Sequence, residues 1–135
     1  MAAAYHRLMT RWTMADAWVF SALAGSGPDA VSLSQLIANA DLINHAILLE
    51  SEFVQSVPRL VAADLVGTDP AADRYWPTAG GREMYAARMK GRGVFGWADA
   101  IPPALRHRGE PQDATWALAP GVFAAAVRDY GQQVR

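Results

Sequence analysis

The sequence lacks several features that would define its class at once. It has no cysteine among its 135 residues, which excludes disulfide bonds and cysteine-ligated metal sites. Charged residues make up 19% of the chain, below the roughly 25% of a typical globular domain, whereas hydrophobic residues make up 52%. So large an apolar fraction excludes a disordered chain, and the length suits one domain with a core.

Long apolar runs are also absent. The longest run, residues 17–24, contains Ser21 and is far too short to cross a bilayer. The N-terminus has no apolar stretch of the secretory kind. The sequence therefore predicts a soluble cytoplasmic protein without a membrane partner.

Motifs for catalysis, cofactor binding or metal binding are missing as well. None of the three histidines, His6, His45 and His107, has metal-ligand spacing from another ligand residue. No Gly-x-Ser-x-Gly elbow is present, and the short glycine segments 25–27 and 91–93 lack the rest of a phosphate loop. We therefore expect no enzyme and no cofactor, and we interpret His45 as a half-buried structural residue rather than a ligand or proton switch.

Apolar residues recur at helical spacing in three segments of the first half. They predict a helix over residues 10–24 that ends at Gly25, and a second helix that begins after an N-cap at Ser32. A third helix is predicted over residues 51–63. Pro58 lies inside it, which predicts a kink or a division into two short helices.

The second half of the chain predicts a short β-hairpin followed by further helices. Its predicted elements are a strand at Leu65 and Val66, a turn over residues 69–73, a strand over residues 74–76, a helix over residues 79–90 capped by Thr78, a looser region with Pro102 and Pro103, and a last helix begun by Pro120.

Three segments resemble parts of one domain type. Residues 32–37, Ser-Leu-Ser-Gln-Leu-Ile, resemble its second helix, and residues 58–66 resemble the end of its recognition helix running into the wing. In that second segment Asp64 stands where a glycine usually turns the helix into the wing. Residues 74–82, Arg-Tyr-Trp-Pro-Thr-Ala-Gly-Gly-Arg, resemble its far wing strand. The order of the predicted helices and strands along the chain is similar to that of the winged-helix domain found in bacterial transcription regulators such as the MarR and PadR families.

This resemblance implies a mainly α fold with a small β-hairpin. The winged helix-turn-helix would span residues 13–90, preceded by an N-terminal arm or helix extension over residues 1–12. Residues 91–135 would form a C-terminal helical extension that packs on the domain or forms a homodimer.

The resemblance also implies binding to double-stranded DNA. The candidates for reading bases are Gln55, Ser56 and Arg59, and the candidates for contacting phosphates are Arg74, Arg82 and Lys90.

The distribution of charge favours a different function. The net charge of the chain is -1, but residues 13–73 hold eight acidic residues against Arg59 alone, a net charge of -7. Residues 74–108 hold seven basic residues against two acidic ones, a net charge of +5. Because DNA is a dense anion, an acidic helix-turn-helix favours the alternative of a protein-interaction or structural module that does not bind DNA. The resemblance and the charge therefore point to different functions, and the sequence predicts a DNA-binding protein of the transcription-regulator type first, with that module as the alternative.

The aromatic residues beyond the predicted winged helix include two tryptophans and two phenylalanines: Phe95, Trp97, Trp116 and Phe123. They are predicted to pack on their own domain or to form a dimer contact. A small-molecule pocket is the third alternative, and it is the least favoured because no convergent polar group accompanies these aromatic residues. No effector is indicated.

Overall fold

Helices form most of the computed structural model, which describes residues 11–133. In chain order the α-helices are α1 (Met14–Ala24), α2 (Leu33–Asn44), α3 (Glu50–Ala62), α4 (Ala79–Met89), α5 (Trp97–His107) and α6 (Val122–Gln133). A hairpin of β1 (Val66–Asp69) and β2 (Arg74–Pro77) separates α3 from α4. The predicted fold class, mainly α with a small β-hairpin, is confirmed. No helix within the described range is long and apolar enough to cross a membrane.

Helix α1 is the central element of the core. All residues from 16 to 24 are buried, because α2, α3 and α5 pack around this helix. The indole N–H of Trp18 donates to the carbonyl oxygen of Ala40 at 2.8 Å, and that of Trp97 donates to Ile43 at 2.9 Å. Both buried indoles therefore find partners at the C-terminal half of α2.

Several helix ends lie where the sequence predicted them. The Ser32 hydroxyl accepts a hydrogen bond from the backbone N–H of Gln35, and the Thr78 hydroxyl accepts one from Gly81. Gly25 follows the last residue of α1. These three predictions are confirmed, since each cap satisfies backbone groups that the first or last turn leaves unpaired.

The predicted division of the third helix at Pro58 is wrong. Helix α3 continues through this residue to Ala62. A proline in a helix costs about 3 kcal/mol, whereas burying each large apolar side chain stabilises the fold by about 1.5–3 kcal/mol. Phe53, Val57 and Leu60 are all fully buried on the inner face of α3, and their combined burial outweighs the proline.

The segment around Pro102 and Pro103 is likewise a helix, α5, and not a looser region. Its buried side chains recur at helical spacing and include Trp97, Ile101 and Leu105. This apolar stripe packs against α1 and holds the helix together despite two missing backbone donors.

The hairpin is antiparallel and is anchored to the start of α2. Val31 and Tyr75 exchange two backbone hydrogen bonds of 2.8 and 2.9 Å. They form a single antiparallel bridge that pairs the residue before Ser32 with β2. Asp73 adopts a left-handed backbone conformation, and its carboxylate accepts a hydrogen bond from the backbone N–H of Leu33 at 2.9 Å. Asp64 also adopts this conformation at the end of α3.

The C-terminal segment packs back onto its own chain. Trp97 and Phe123 are buried, and the rings of Trp116 and Phe123 lie 5.6 and 5.9 Å from the ring of Phe53. Helix α6 lies along α2. Three of the four aromatic residues therefore pack within the chain, while Phe95 remains 56% exposed. The homodimer stays a prediction.

Candidate nucleic-acid interface

Helix α3 corresponds to the predicted recognition helix, and it has one covered and one exposed side. Its covered side is formed by Phe53, Ser56, Val57, Arg59 and Leu60. Its exposed side includes Gln55 and Val61, with Glu50 at the N-terminal end. Of the three candidate base-reading residues, only Gln55 is therefore accessible.

Arg59 lies in the interior and contacts carboxylates from distant parts of the chain. Its Nη1 atom is 3.0 Å from Oδ2 of Asp16, and its Nε atom is 2.6 Å from Oδ1 of Asp113. Nη1 also donates to the carbonyl oxygen of Arg11 at 2.8 Å. The side chains of Arg59 and Asp16 are 1% and 0% exposed, whereas that of Asp113 is 50% exposed.

These contacts determine the charge state and the role of Arg59. Burial acts to lower its pKa, but the hydrogen bond to Asp113 and the charge of Asp16 outweigh burial and raise the pKa above its ordinary value. A cation held in this way joins α1, α3 and the C-terminal segment. The prediction that Arg59 reads a base is wrong for this conformation, because the guanidinium is sequestered inside the protein.

Ser56 is also misplaced for base reading. It is 1% exposed and lies on the covered side of α3, one turn before Leu60. Its hydroxyl has no hydrogen-bond partner among the described residues. A side chain so buried cannot reach the edge of a base, so this prediction is wrong as well.

The three candidate phosphate contacts are exposed but differ in their surroundings. Arg74 lies directly opposite Asp69 in the hairpin, and both line a shallow depression that also contains Asp29. Arg82 belongs to the first turn of α4, and Lys90 follows its last residue. These last two are about 12 Å apart along the helix axis. Only Arg82 and Lys90 therefore offer positive charge away from adjacent carboxylates of the hairpin.

The accessible surface of residues 13–73 carries negative charge only. Once Asp16 and Arg59 are paired in the interior, every remaining charged side chain of this segment is acidic and at least partly exposed. These residues are Asp29, Asp41, Glu50, Glu52, Asp64, Asp69 and Asp73. Such a surface repels a phosphate backbone.

Large apolar side chains are exposed on the same half of the molecule. Leu42 in α2 is 67% exposed, Leu49 before α3 is 60% exposed, and Ile47 and Val61 are each more than 40% exposed. These side chains add exposed apolar area to the acidic surface of residues 13–73.

Within residues 11–133, no group of three or more side chains could hold a metal ion. His45 is exposed rather than half-buried; it ends α2 in a left-handed conformation, and its ring lies 5.5 Å from that of Phe95.

Comparison of the chain with protein-family models, with curated proteins and with solved structures found no match.

Proposed function

We propose that the chain is a non-enzymatic winged-helix domain that binds a partner protein rather than DNA. The binding surface is formed by exposed residues of α2, of α3 and of the loop between them, and it is called here the α2–α3 surface. It comprises Leu42, Ile47, Leu49, Glu50, Gln55 and Val61.

The order of elements supports the winged-helix assignment. Three helices precede a hairpin and a fourth helix, and the pairing of Val31 with Tyr75 adds a short strand before α2. This order agrees with the resemblance seen in the sequence. Fold alone does not specify a ligand, so the ligand is argued from the surface.

The burial of Arg59 is the observation that carries the proposal. A helix that reads the major groove normally presents Arg, Lys, Asn or Gln to the bases, with further cations at the phosphates. Here the only basic residue of α3 is paired with Asp16 and Asp113. The exposed side of α3 keeps Gln55 but has no cation to offset Glu50.

The same surface suits a protein of complementary chemistry. Its apolar side chains can be desolvated against an apolar patch, and its carboxylates can pair with basic residues around that patch. We therefore expect the partner to present an apolar surface with Lys or Arg at its rim.

The direct test is titration of the protein into a fluorescent random-sequence duplex of about 20 base pairs at low salt. Non-specific DNA binding typically has a Kd of about 1–100 µM at physiological salt and tightens as salt falls. We expect no change in anisotropy up to about 10 µM protein. Binding in that range that weakens steeply with added salt would overturn the proposal.

A second test locates the partner contact. A photo-crosslinking residue replaces Gln55 on α3 in one variant and the exposed Ala87 on α4 in a control variant. We expect a defined protein adduct in cells from position 55 only, and we expect the charge reversal Glu50→Lys to abolish it. Adducts of equal yield from both positions, or adducts that Glu50→Lys leaves unchanged, would contradict the assigned surface.

DNA binding through α4 is the second candidate. Arg82, Arg88, Lys90 and Arg92 are all exposed, and Glu83 is the one acidic residue among residues 79–92. If the duplex titration shows binding, replacement of these four by glutamine should abolish it under this candidate. Gln55→Ala should leave it unchanged.

A further inference from the structure

A cleft of about 90 Å³ lies between α1, α2 and α4, with Val94 at one side. Ala22, Leu42 and Ile43 form much of its wall, and no described residue that lines it is charged. The cleft has room for about six water-sized groups. It therefore suits an uncharged ligand of about six to eight non-hydrogen atoms, the size of one substituted ring.

A buried serine lines this cleft without a hydrogen-bond partner. Ser21 is 1% exposed, and its hydroxyl makes no hydrogen bond to any residue that the structure describes. Leaving a buried hydroxyl unpaired costs free energy, so such groups in native proteins are normally satisfied. The Oγ atom itself is covered in this side-chain orientation, so a group inside the cleft would satisfy it once the Ser21 side chain rotates toward the cleft.

The hydroxyl of Tyr85 supplies a second polar group to the cleft. Its ring is oriented by an edge-on contact with Phe20, with centroids 6.0 Å apart and planes at 74°. The hydroxyl reaches over Gly25, where an added Cβ would lie 2.9 Å from it, and it lines the same cleft as Ser21. Burial raises the pKa of Tyr85, so this hydroxyl is a donor at neutral pH.

We propose that the cleft binds a small uncharged ring compound that carries one hydroxyl group, with phenol as the simplest probe. The ring would lie against Ala22, Leu42 and Ile43, and the ligand hydroxyl would exchange hydrogen bonds with Ser21 and Tyr85. A ring with a carboxylate is disfavoured because no cation lines the cleft. This proposal does not rest on the proposed function, although Leu42 belongs both to the cleft and to the α2–α3 surface, so phenol binding is measured on the protein alone.

The proposal is tested by titrating phenol into the full chain and following backbone amide resonances by NMR. For a ligand of this size we expect one saturable site with a Kd of about 0.1–1 mM. The shifts should be centred on residues 21–26 and 85. Benzoate should bind at least about tenfold more weakly, since its charge would have to be desolvated.

Matched variants separate a specific site from general partitioning. Ser21→Ala and Tyr85→Phe should each weaken phenol binding about tenfold, the effect of one lost hydrogen bond in a buried site. The control is Ser56→Ala, which removes another buried and unpartnered hydroxyl on α3 and should change the Kd less than twofold. Absence of saturation below about 10 mM, or equal Kd values in all three variants, would overturn the proposal.

Discussion

Arg59 connects α3 to Asp16 in α1 and to Asp113 near the C-terminus. In the variant Arg59→Met, Asp16 keeps its buried position but loses this cation, and one of its oxygens already has no partner among the described residues. Removing one member of a buried ion pair typically costs about 3–5 kcal/mol. We expect the free energy of unfolding, measured by urea denaturation, to fall by that amount.

The control for this variant is Arg82→Met on exposed α4, which should change stability by no more than about 0.5 kcal/mol. If Arg59→Met were as stable as the wild type, the guanidinium would be dispensable inside the fold. The argument against base reading by this residue would then fail.

The pKa of the Tyr75 hydroxyl determines how the free energy of unfolding falls in alkaline solution. Burial, with the nearby charge of Asp73, raises its pKa from 10.0 to about 12. Between these values the unfolded chain releases the phenolic proton and the folded chain keeps it. Stability is therefore full below pH 10 and is lost as the pH rises through 12. From pH 8 to about 11.5, Tyr75→Phe should lose up to about 2 kcal/mol less stability than the wild type in urea titrations. Equal losses would contradict the burial of this hydroxyl.

The roles of Ser56 and Arg59 could not be deduced from the sequence of α3. Its periodicity predicted a helix with Phe53, Val57, Leu60 and Val61 on the inner face. The first three are buried as predicted, whereas Val61 is 42% exposed. Arg59 lies beside that apolar stripe, and whether such a position is exposed depends on what covers it. The covering residue, Asp113, is 54 positions away in a segment without regular structure. No local pattern signals that contact.

At the scale of elements, the junction between the hairpin and α4 depends on one glycine. A Cβ on Gly81 would lie 2.1 Å from the carbonyl oxygen of Leu65, which also accepts a hydrogen bond from the backbone N–H of Thr78. Gly81→Ala should push α4 from β1 and cost about 3 kcal/mol. Thermal or urea unfolding measures this loss.

Gly80 is the matched control, since its added Cβ would meet nothing closer than 3.9 Å. Gly80→Ala should be neutral or stabilise the helix by up to about 1 kcal/mol. If the two alanine variants were equally stable, the contact at Leu65 would not constrain the junction.

Helix boundaries could be predicted from the sequence where a capping residue marks the end of the helix. Ser32, Thr78 and Gly25 carry capping chemistry that depends on neighbours within one turn, and each helix boundary was predicted correctly from them. The sequence predicted a break at Pro58 and a looser region around Pro102 and Pro103, but both segments are helical. Burying their apolar side chains against other helices outweighs the loss of the backbone donors. The cleft beside Ser21 was not predicted, since it depends on how α4 packs beside α1 and α2, from which α3 and the hairpin separate it in the chain.

At the scale of the whole molecule, charge is divided between two halves of the fold. Residues 13–73 expose carboxylates and apolar side chains, and residues 79–92 expose arginine and lysine. The sequence predicted this division from residue counts alone. The structure strengthens it, because the one basic residue of the acidic half is neutralised in the interior.

The C-terminal segment should unfold together with the rest of the chain. Phe123 in α6 is 5% exposed and contacts Phe53, whose ring also lies 5.4 Å from that of Tyr75 in the hairpin. Phe123→Ala should therefore cost about 3–5 kcal/mol. In a single cooperative unit, the slowest-exchanging amides of α1 and β2 should lose as much protection as those of α6, measured by hydrogen exchange.

The neighbouring Val122 provides the control for this experiment, because it is 40% exposed and Val122→Ala should change protection little. If Phe123→Ala lowers amide protection only within residues 109–133, the C-terminal segment unfolds independently of the rest of the chain. Arg59 could then be uncovered by local opening, since Asp113 belongs to that segment. Uniform loss of protection would instead mean that exposing Arg59 requires global unfolding, which makes α3 unavailable as a DNA-reading helix under native conditions.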